Sequence, residues 1–357
     1  MKAGFAGEFS PSLEFSSLVG RPKHQKAMIN ANPQEIFVGD ETEKYKGLLR
    51  LSYPIEHGVV QDWQDMDHLW RHVFRRLKCQ TQEHPVLLTE ASLNPSKNRE
   101  KAAEIFYENY GCPAVFFQSQ AVLSLYAQGK VTGVVLDCGD GVSHTAPIYE
   151  GFSIPAAVNR IDLGGRDVTQ YLMLLLRRAG YKLHTTAEFE IVRTIKEKYC
   201  HLVSTGYKED EGREDKNRNV YRLPDGEDVE LASEKFKAPE ILFSPEAVGF
   251  EYQGLHELVV NSIKQCDVDL RKDLFGSIVI AGGTTCLTGF GDRLHKSVVK
   301  MSPKDMKVSL IAPQNRKRSC WIGGATLANL EAFKKMWITR KDYNEMGASR
   351  IQALTQL

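Results

Sequence analysis

The stretch Val134-Val135-Leu136-Asp137-Cys138-Gly139-Asp140-Gly141-Val142-Ser143-His144 decides how the chain is read. A short aliphatic run without polar alternation fits an inner strand of an α/β sheet, covered on both faces. The run ends in two carboxylates set among glycines. Glycine lets backbone N–H groups come close to phosphate oxygens, and carboxylates beside them can hold a hydrated divalent cation. A plain hairpin turn with solvated acids accounts for the same residues, and the local sequence weighs the two readings evenly.

Working outward, a second run has the same form. Ser277-Ile278-Val279-Ile280-Ala281 leads into Gly282-Gly283-Thr284-Thr285 and then into a helical stretch. Ligands in open α/β sheets bind at such strand ends, although glycine pairs after strands are common. Helical periods separate the strands. Trp63, Met66, Leu69, Trp70, Val73, Phe74 and Leu77 fall on one face. Asp167 reads as the N-cap of a helix carrying Val168, Tyr171, Leu172, Leu175 and Ala179, closed by Arg177-Arg178 and Gly180. Phe189, Val192, Ile195 and Tyr199 mark another helix, and Leu255 to Cys266 a further one. Alternating strands and helices predict α/β layers.

The composition sets bounds. The chain has 357 residues, enough for two domains or a little more. Lys plus Arg is 46 and Asp plus Glu is 45, a balance unlike that of a protein built to grip nucleic acid. The longest apolar run, 171–176, is far short of the roughly 18 residues a membrane helix needs. The N-terminal stretch lacks a secretory h-region. Seven cysteines, widely spaced and without a Cys-x-x-Cys pair, fit a reducing compartment.

Several motif readings fail. Gly139-Asp140-Gly141-Val142-Ser143-His144 lacks the last glycine of a dinucleotide fingerprint, and no glycine-rich loop ends in Gly-Lys-Ser/Thr. His68 and His72 sit at i and i+4, but no carboxylate completes a zinc motif there, so an ordinary amphipathic helix is favoured. Arg193, Lys196 and Glu197 lie within about one helical turn, on one side. A carboxylate there could accept ribose hydroxyls and a cation could lie against a base; a solvated helix face explains them equally. Residues 206–219 read as a solvated loop, followed by a Leu223-Pro224-Asp225-Gly226 turn between short strands.

The order and spacing of these residues resemble the actin family. The likeness runs through Lys2-Ala-Gly-Phe-Ala-Gly7, Tyr53-Pro-Ile-Glu-His-Gly58, Glu83-His-Pro-Val-Leu-Leu-Thr-Glu90, Asp137 to His144, Gly165-Arg-Asp167, Ile195-Lys-Glu-Lys198 and Trp321-Ile-Gly-Gly324. It covers essentially the whole chain. Stretches such as Asp62-Trp-Gln-Asp-Met66, Pro147-Ile-Tyr-Glu-Gly-Phe152 and Phe333-Lys-Lys-Met-Trp337 are most similar to the branch that builds the short filament of dynactin. Cys266-Asp-Val-Asp-Leu-Arg-Lys272 and Tyr171-Leu-Met173 look more like conventional actin.

The resemblance implies a two-lobed α/β ATPase fold with a nucleotide cleft between related lobes. The first lobe is expected over 1–127 and 319–357, with a small subdomain at about 17–53. The second is expected over 128–318, with a small subdomain at about 164–249. The family places a strand and an Asp-x-Gly-Ser-Gly-type loop before the lysine matched by Lys2. The sequence starts at Met1, so the first lobe is expected to lack that element.

Residue by residue, the resemblance implies ATP or ADP with Mg2+ or Ca2+ on a loop of Asp137, Gly139, Asp140, Gly141 and Val142. Asp137 would order water on the cation. Gln120 and His144 would position the attacking water, and Lys2 would reach the β- and γ-phosphates. Arg193, Lys196 and Glu197 would contact the adenosine. Gly282, Gly283 and Thr284 would flank the α-phosphate and base, and Lys317 would stand on the adenine side.

Arg318 departs from the family's usual Tyr, within a basic run read as a solvated loop. Two docking elements are implied, residues 24–36 with Met28 and Ile29, and residues 244–254. The expected output is filament assembly with slow hydrolysis, in the cytoplasm and cytoskeleton and at the centrosome. The expected partners are further copies, dynactin subunits and the dynein complex, with no nucleic acid and no membrane insertion. The alternatives are a conventional actin-type filament protein and a nuclear actin-related scaffold. A small-molecule kinase of the same superfamily would need a carboxylate general base.

Overall fold

The computed structural model describes residues 1–23, 36–45, 47–204, 219–224, 226–348 and 351. It divides into two compact units, one of Met1–Val131, Gly151–Ser153 and Arg318–Leu357, the other of Thr132–Glu150 and Ile154–Lys317. The expected loop at 206–219 falls outside the described residues up to 218, as does docking element 24–36 up to residue 35.

The second unit is built on β1 (Gly133–Cys138), β2 (Ser143–Tyr149), β3 (Asn159–Ile161), α1 (Gly165–Arg178), α2 (Thr186–Tyr199), β4 (Asn219–Arg222), β5 (Asp228–Leu231), α3 (Leu255–Gln265), β6 (Ile278–Ala281), α4 (Phe290–Met301) and β7 (Leu310–Ile311). Strands β2, β1, β6 and β7 lie side by side, and β3 pairs with β2. β1 runs parallel to β6, with Val134 opposite Ile278 and Asp137 opposite Ala281, and antiparallel to β2, with Asp137 opposite His144. Every residue of β1 is buried, which is why its sequence shows no alternation. The core joins Leu136 and Ile280 to Val168 and Leu172 of α1, Val192 and Ile195 of α2, Val259 and Ile263 of α3, and Phe290 and Leu294 of α4. β4 and β5 form the hairpin expected around Leu223-Pro224, closed by the Leu223 N–H to the Glu227 carbonyl at 2.8 Å.

Helix α1 starts at Gly165, two residues before the expected Asp167 cap. Asp167 stands one turn into the start and its carboxylate reaches back to the Gly164 N–H at 2.8 Å. An acid there satisfies an orphan donor as an N-cap would, and favours the positive end of the helix. α2 opens with a reciprocal pair, Thr185 Oγ1 accepting from the Glu188 N–H while Glu188 accepts from the Thr185 N–H at 2.6 Å.

In the first unit, Val86–Glu90 runs parallel to Ala114–Ser119, whose other edge pairs with Ile338–Thr339. The Trp63–Leu77 helix follows the predicted apolar face and is capped by Asp62, which accepts from the Gln64 and Asp65 N–H groups. His72 lies in its buried face against the Phe15 ring, and no cluster among the described residues could hold a metal ion. The Gln120–Tyr126 helix packs on the Ser319–Ala328 helix so closely that a Cβ on Gly323 would stand 1.8 Å from the Leu123 carbonyl oxygen. No helix among the described residues is long and apolar enough to cross a membrane.

Candidate functional site

Asp137 is the last but one residue of β1, buried at the point where the strand opens into its turn. Directly paired residues on antiparallel strands project from the same face, so Asp137 and His144 stand side by side. His144 is 1 % exposed, and neither of its ring nitrogens has a hydrogen-bond partner among the described residues. Burial pushes its pKa below the ordinary value; Asp137 pulls it up and Arg160 adds to the lowering. His144 is therefore a neutral imidazole at pH 7, with a lone pair and an N–H still to be satisfied. A buried polar group in that condition calls for a ligand or water.

The turn itself is held by main-chain bonds. The Gly139 N–H donates to the Val142 carbonyl at 2.9 Å, and the Gly139 carbonyl accepts from the Gly165 N–H at 3.0 Å and from Thr284 Oγ1 at 2.7 Å. The Arg166 N–H donates to the Asp140 carbonyl at 2.7 Å, and the Arg166 guanidinium pairs with the Asp140 carboxylate at 3.4 Å. The second glycine platform closes the other side. Gly282 has φ +90°, and a Cβ there would lie 2.2 Å from the Cys138 carbonyl oxygen and 2.6 Å from Asp137 Oδ1, so glycine alone fits. The Cys138 thiol, pushed up to about 12 by burial and bonded by Ser143 Oγ at 2.9 Å, has no nucleophilic role.

Around this turn the second unit brings most of the expected residues together. Lys196 of α2 is 5 % exposed and its ammonium donates to the Gly165 carbonyl at 2.7 Å. Burial lowers its pKa, against the raising effect of Asp140 and Glu197. Arg193 pairs at 3.0 Å with Glu190, which is buried, and at 3.8 Å with the exposed Glu197. Gly283 stands 3.9 Å, measured from an added Cβ, from the Lys317 stem. Lys2 and Gln120 belong to the first unit. Lys2 sits opposite Glu14 in a two-stranded pair, and Gln120 is half-buried at the start of the helix that follows Ala114–Ser119.

The sequence did not disclose the brace from α1. Its trace was Gly164-Gly165, two small residues ahead of an Arg-Asp pair. The basic run also resolves locally. Arg316 donates to the Thr285 and Pro313 carbonyls, and Arg318 pairs with Glu14 at 2.8 Å.

The donor set fits a phosphate group with a hydrated divalent cation: a buried carboxylate at a strand end, glycine backbone beside it, and an unsatisfied imidazole on the same face. Fold and site together define an α/β protein of two units with a braced acid–glycine turn at the end of its central strand. The sequence profile of the actin family matches residues 1–356. An actin-like protein of Neurospora crassa is 49% identical over 352 residues, 97% of this chain and 93% of that protein. The chain belongs to the actin family. The family's fold generally binds nucleotide with a divalent cation, and actin-like proteins generally self-assemble into filaments.

Proposed function

We propose that the protein is an ATP-binding, centractin-like filament subunit, one that builds the short filament of dynactin and supports dynein-driven transport along microtubules. The observation that carries the nucleotide part is His144, buried with both ring nitrogens unsatisfied beside Asp137 at the glycine turn. Asp137 orders water on a bound Mg2+ or Ca2+. The backbone of Gly139, Asp140, Gly141 and Val142 receives the phosphates, and Lys2 reaches the β- and γ-phosphates. Arg193, Lys196 and Glu197 contact the adenosine, while Gly282, Gly283 and Thr284 flank the α-phosphate and base and Lys317 stands on the adenine side.

Catalysis is slow because it rests on positioning. Gln120 and neutral His144 orient the attacking water, and neither is a charged base able to take its proton quickly. Gln120→Ala is expected to leave ATP affinity within about twofold and to slow phosphate release about tenfold or more. A collapse of affinity with an unchanged rate per bound nucleotide would refute these roles.

The cellular part rests on the dynactin-type stretches, among them Asp62-Trp-Gln-Asp-Met66 and Phe333-Lys-Lys-Met-Trp337. Residues 17–53 and 164–249 are read as small subdomains, and the cytoplasm, cytoskeleton and centrosome as the place of action. Sucrose-gradient fractionation of the tagged protein from its own cells tests this. Migration with dynein and dynactin is expected; migration with bulk actin filaments would favour the conventional-actin reading that 266–272 suggests.

A further inference from the structure

We propose that Cys79 and Cys112 form a redox pair in the first unit: hydrogen peroxide joins them in a disulfide that ties the end of the Trp63–Leu77 helix to residues 111–113, and small thiols release it. The two cysteines occupy matching places. Each follows a left-handed residue just past a helix end, Lys78 with φ 53° after Trp63–Leu77 and Gly111 with φ 68° after the π-helical turn Ile105–Asn109. Each cysteine N–H reaches back to a phenylalanine carbonyl, Cys79 to Phe74 at 3.3 Å and Cys112 to Phe106 at 3.0 Å, as the residue after a left-handed cap does. Those two phenylalanines pack on each other with ring centroids 6.2 Å apart, and each packs on Tyr110 at 5.3 Å. The segments that leave the two ends stay together. Thr81 Oγ1 donates to the Tyr110 carbonyl at 2.5 Å, and a Cβ on Gly111 would lie 3.2 Å from Gln82 Cγ. Two helix ends are thus fixed against each other, with one thiol on each.

Both cysteines are free; Cys112 is fully buried and Cys79 half-buried. Burial pushes the Cys112 thiol up to about 11; Cys79 adds to the rise and Arg340 opposes it. Burial raises Cys79 as well. Both are thiols rather than thiolates at pH 7, so the pair reacts slowly and answers sustained oxidant rather than a brief pulse. The more accessible Cys79 sulfur, as the minor thiolate, attacks one peroxide oxygen. An S–O bond forms, the O–O bond breaks, and the departing oxygen leaves as water. The Cys112 sulfur then attacks the sulfenic sulfur of Cys79. The S–S bond forms, the S–O bond breaks, and the second oxygen leaves as water. Two thiols lose two electrons and two protons, and one peroxide becomes two waters. The Pro113 carbonyl accepts from the Arg340 N–H at 2.9 Å, so the tie extends to the Arg340–Met346 helix.

The wild-type full chain carries the test, so the folding of a variant does not limit it. It is held in excess hydrogen peroxide, its remaining thiols are blocked with iodoacetamide, and it is digested without reduction. Mass spectrometry is expected to find the Cys79 and Cys112 peptides joined and two hydrogens lighter than their sum, and dithiothreitol should separate them. The oxidised chain should melt about 5 °C higher than the reduced one, and dithiothreitol should abolish the difference. In Cys112→Ala, Cys79 should stop at the sulfenic acid and be captured by dimedone. In Cys79→Ala, Cys112 should remain a thiol. The exposed Cys286 serves as the control for the oxidant. If Cys286 is oxidised while Cys79 and Cys112 both remain open to iodoacetamide in the unfolded digest, the pair does not exist. Linkage of either one to Cys320 or to a second chain would also overturn the proposal, and a Cys79–Cys112 bond with an unchanged melting temperature would refute the tie.

Discussion

The turn after β1 and the loop at 244–254 belong to the same unit and are built in opposite ways. The turn is short, and α1 and Thr284 bond its backbone from two sides. The loop is held at its base by the Ser244 N–H to the Glu240 carbonyl and the Leu255 N–H to the Leu242 carbonyl, both at 2.9 Å, and at Gln253, whose Oε1 accepts from Asn261 Nδ2 at 2.9 Å. Beyond that base it displays Phe250, 38 % exposed, and Tyr252, 40 % exposed, as a stacked pair with ring centroids 6.0 Å apart. A site that holds a small charged ligand needs fixed donors, and fixed donors need neighbours. A surface meant for another chain needs apolar area left in water until the partner arrives. Substitutions in the turn should therefore act on folding and ligand affinity, and substitutions in the loop on assembly.

The strongest way to break the contrast is at Gly282. A methyl there meets the Cys138 carbonyl oxygen at 2.2 Å, on a backbone with φ +90°. Gly282→Ala is expected to destabilise the second unit by about 3–5 kcal/mol. Thermal unfolding measures this, and a melting temperature close to wild type would mean that the turn is not rigid. Next comes Asp137→Asn, nearly isosteric and without charge. It should leave folding intact and reduce divalent-dependent ATP retention about a hundredfold. Nucleotide content after gel filtration with and without chelator reports it, and unchanged retention would remove Asp137 from the cation site.

How far these two regions could be read from the sequence differs for a physical reason. β1 and β6 were legible because a strand covered on both faces has no choice but to be aliphatic. The helices at Trp63–Leu77, α2 and α3 were legible through their apolar period. The start of α1 was misplaced because Gly164 and Gly165 are small to suit Gly139 and Asp140, distant in sequence, and no local pattern encodes that. A Cβ on Gly164 would come 2.6 Å from the Asp140 carbonyl oxygen. Lys196 read as part of a polar helix face with Arg193 and Glu197, but it lies at the border of that face, where α1 covers it. His68 and His72, at ligand-like spacing but without a completing carboxylate, read as part of an ordinary amphipathic helix, and His72 packs in it against Phe15. The loop at 244–254 was named through family likeness, since exposure cannot be read from a Phe or a Tyr.

The loop supplies the next test. Phe250 rests on its neighbour Tyr252 and is bonded through its backbone to the Pro245 carbonyl at 3.2 Å. Phe250→Asp should change stability by no more than about 0.5 kcal/mol. It should raise the protein concentration needed for pelleting about tenfold or more, as loss of an apolar anchor at an interface does. Normal pelleting with unchanged ATP binding would show that the loop is an ordinary surface.

The smallest expected effect compares two histidines, one in each region. His144 faces the turn; His256 lies under the loop, its ring stacked on Phe243 with centroids 5.8 Å apart and its Nδ1 buried without a partner among the described residues. Burial lowers the pKa of both from the ordinary 6.5. For His256, Glu257 and Glu246 raise it again while Arg293 lowers it. In each case the unfolded chain takes up a proton below pH 6.5 that the native state refuses. Stability from these groups is therefore complete above that pH and declines as pH falls through it toward the lowered native value. Each proton so linked steepens the dependence by at most about 1.4 kcal/mol per pH unit. His144 is enclosed while His256 is half-buried, so the larger share belongs to the turn. Urea unfolding of wild type, His144→Gln and His256→Gln at pH 7.5 and again a unit or two lower should show the wild type losing most. His144→Gln should flatten that loss more than His256→Gln does. Equal slopes in all three proteins would mean that neither histidine is held neutral by its surroundings, and the distinction between a closed turn and an open loop would then not extend to their protons.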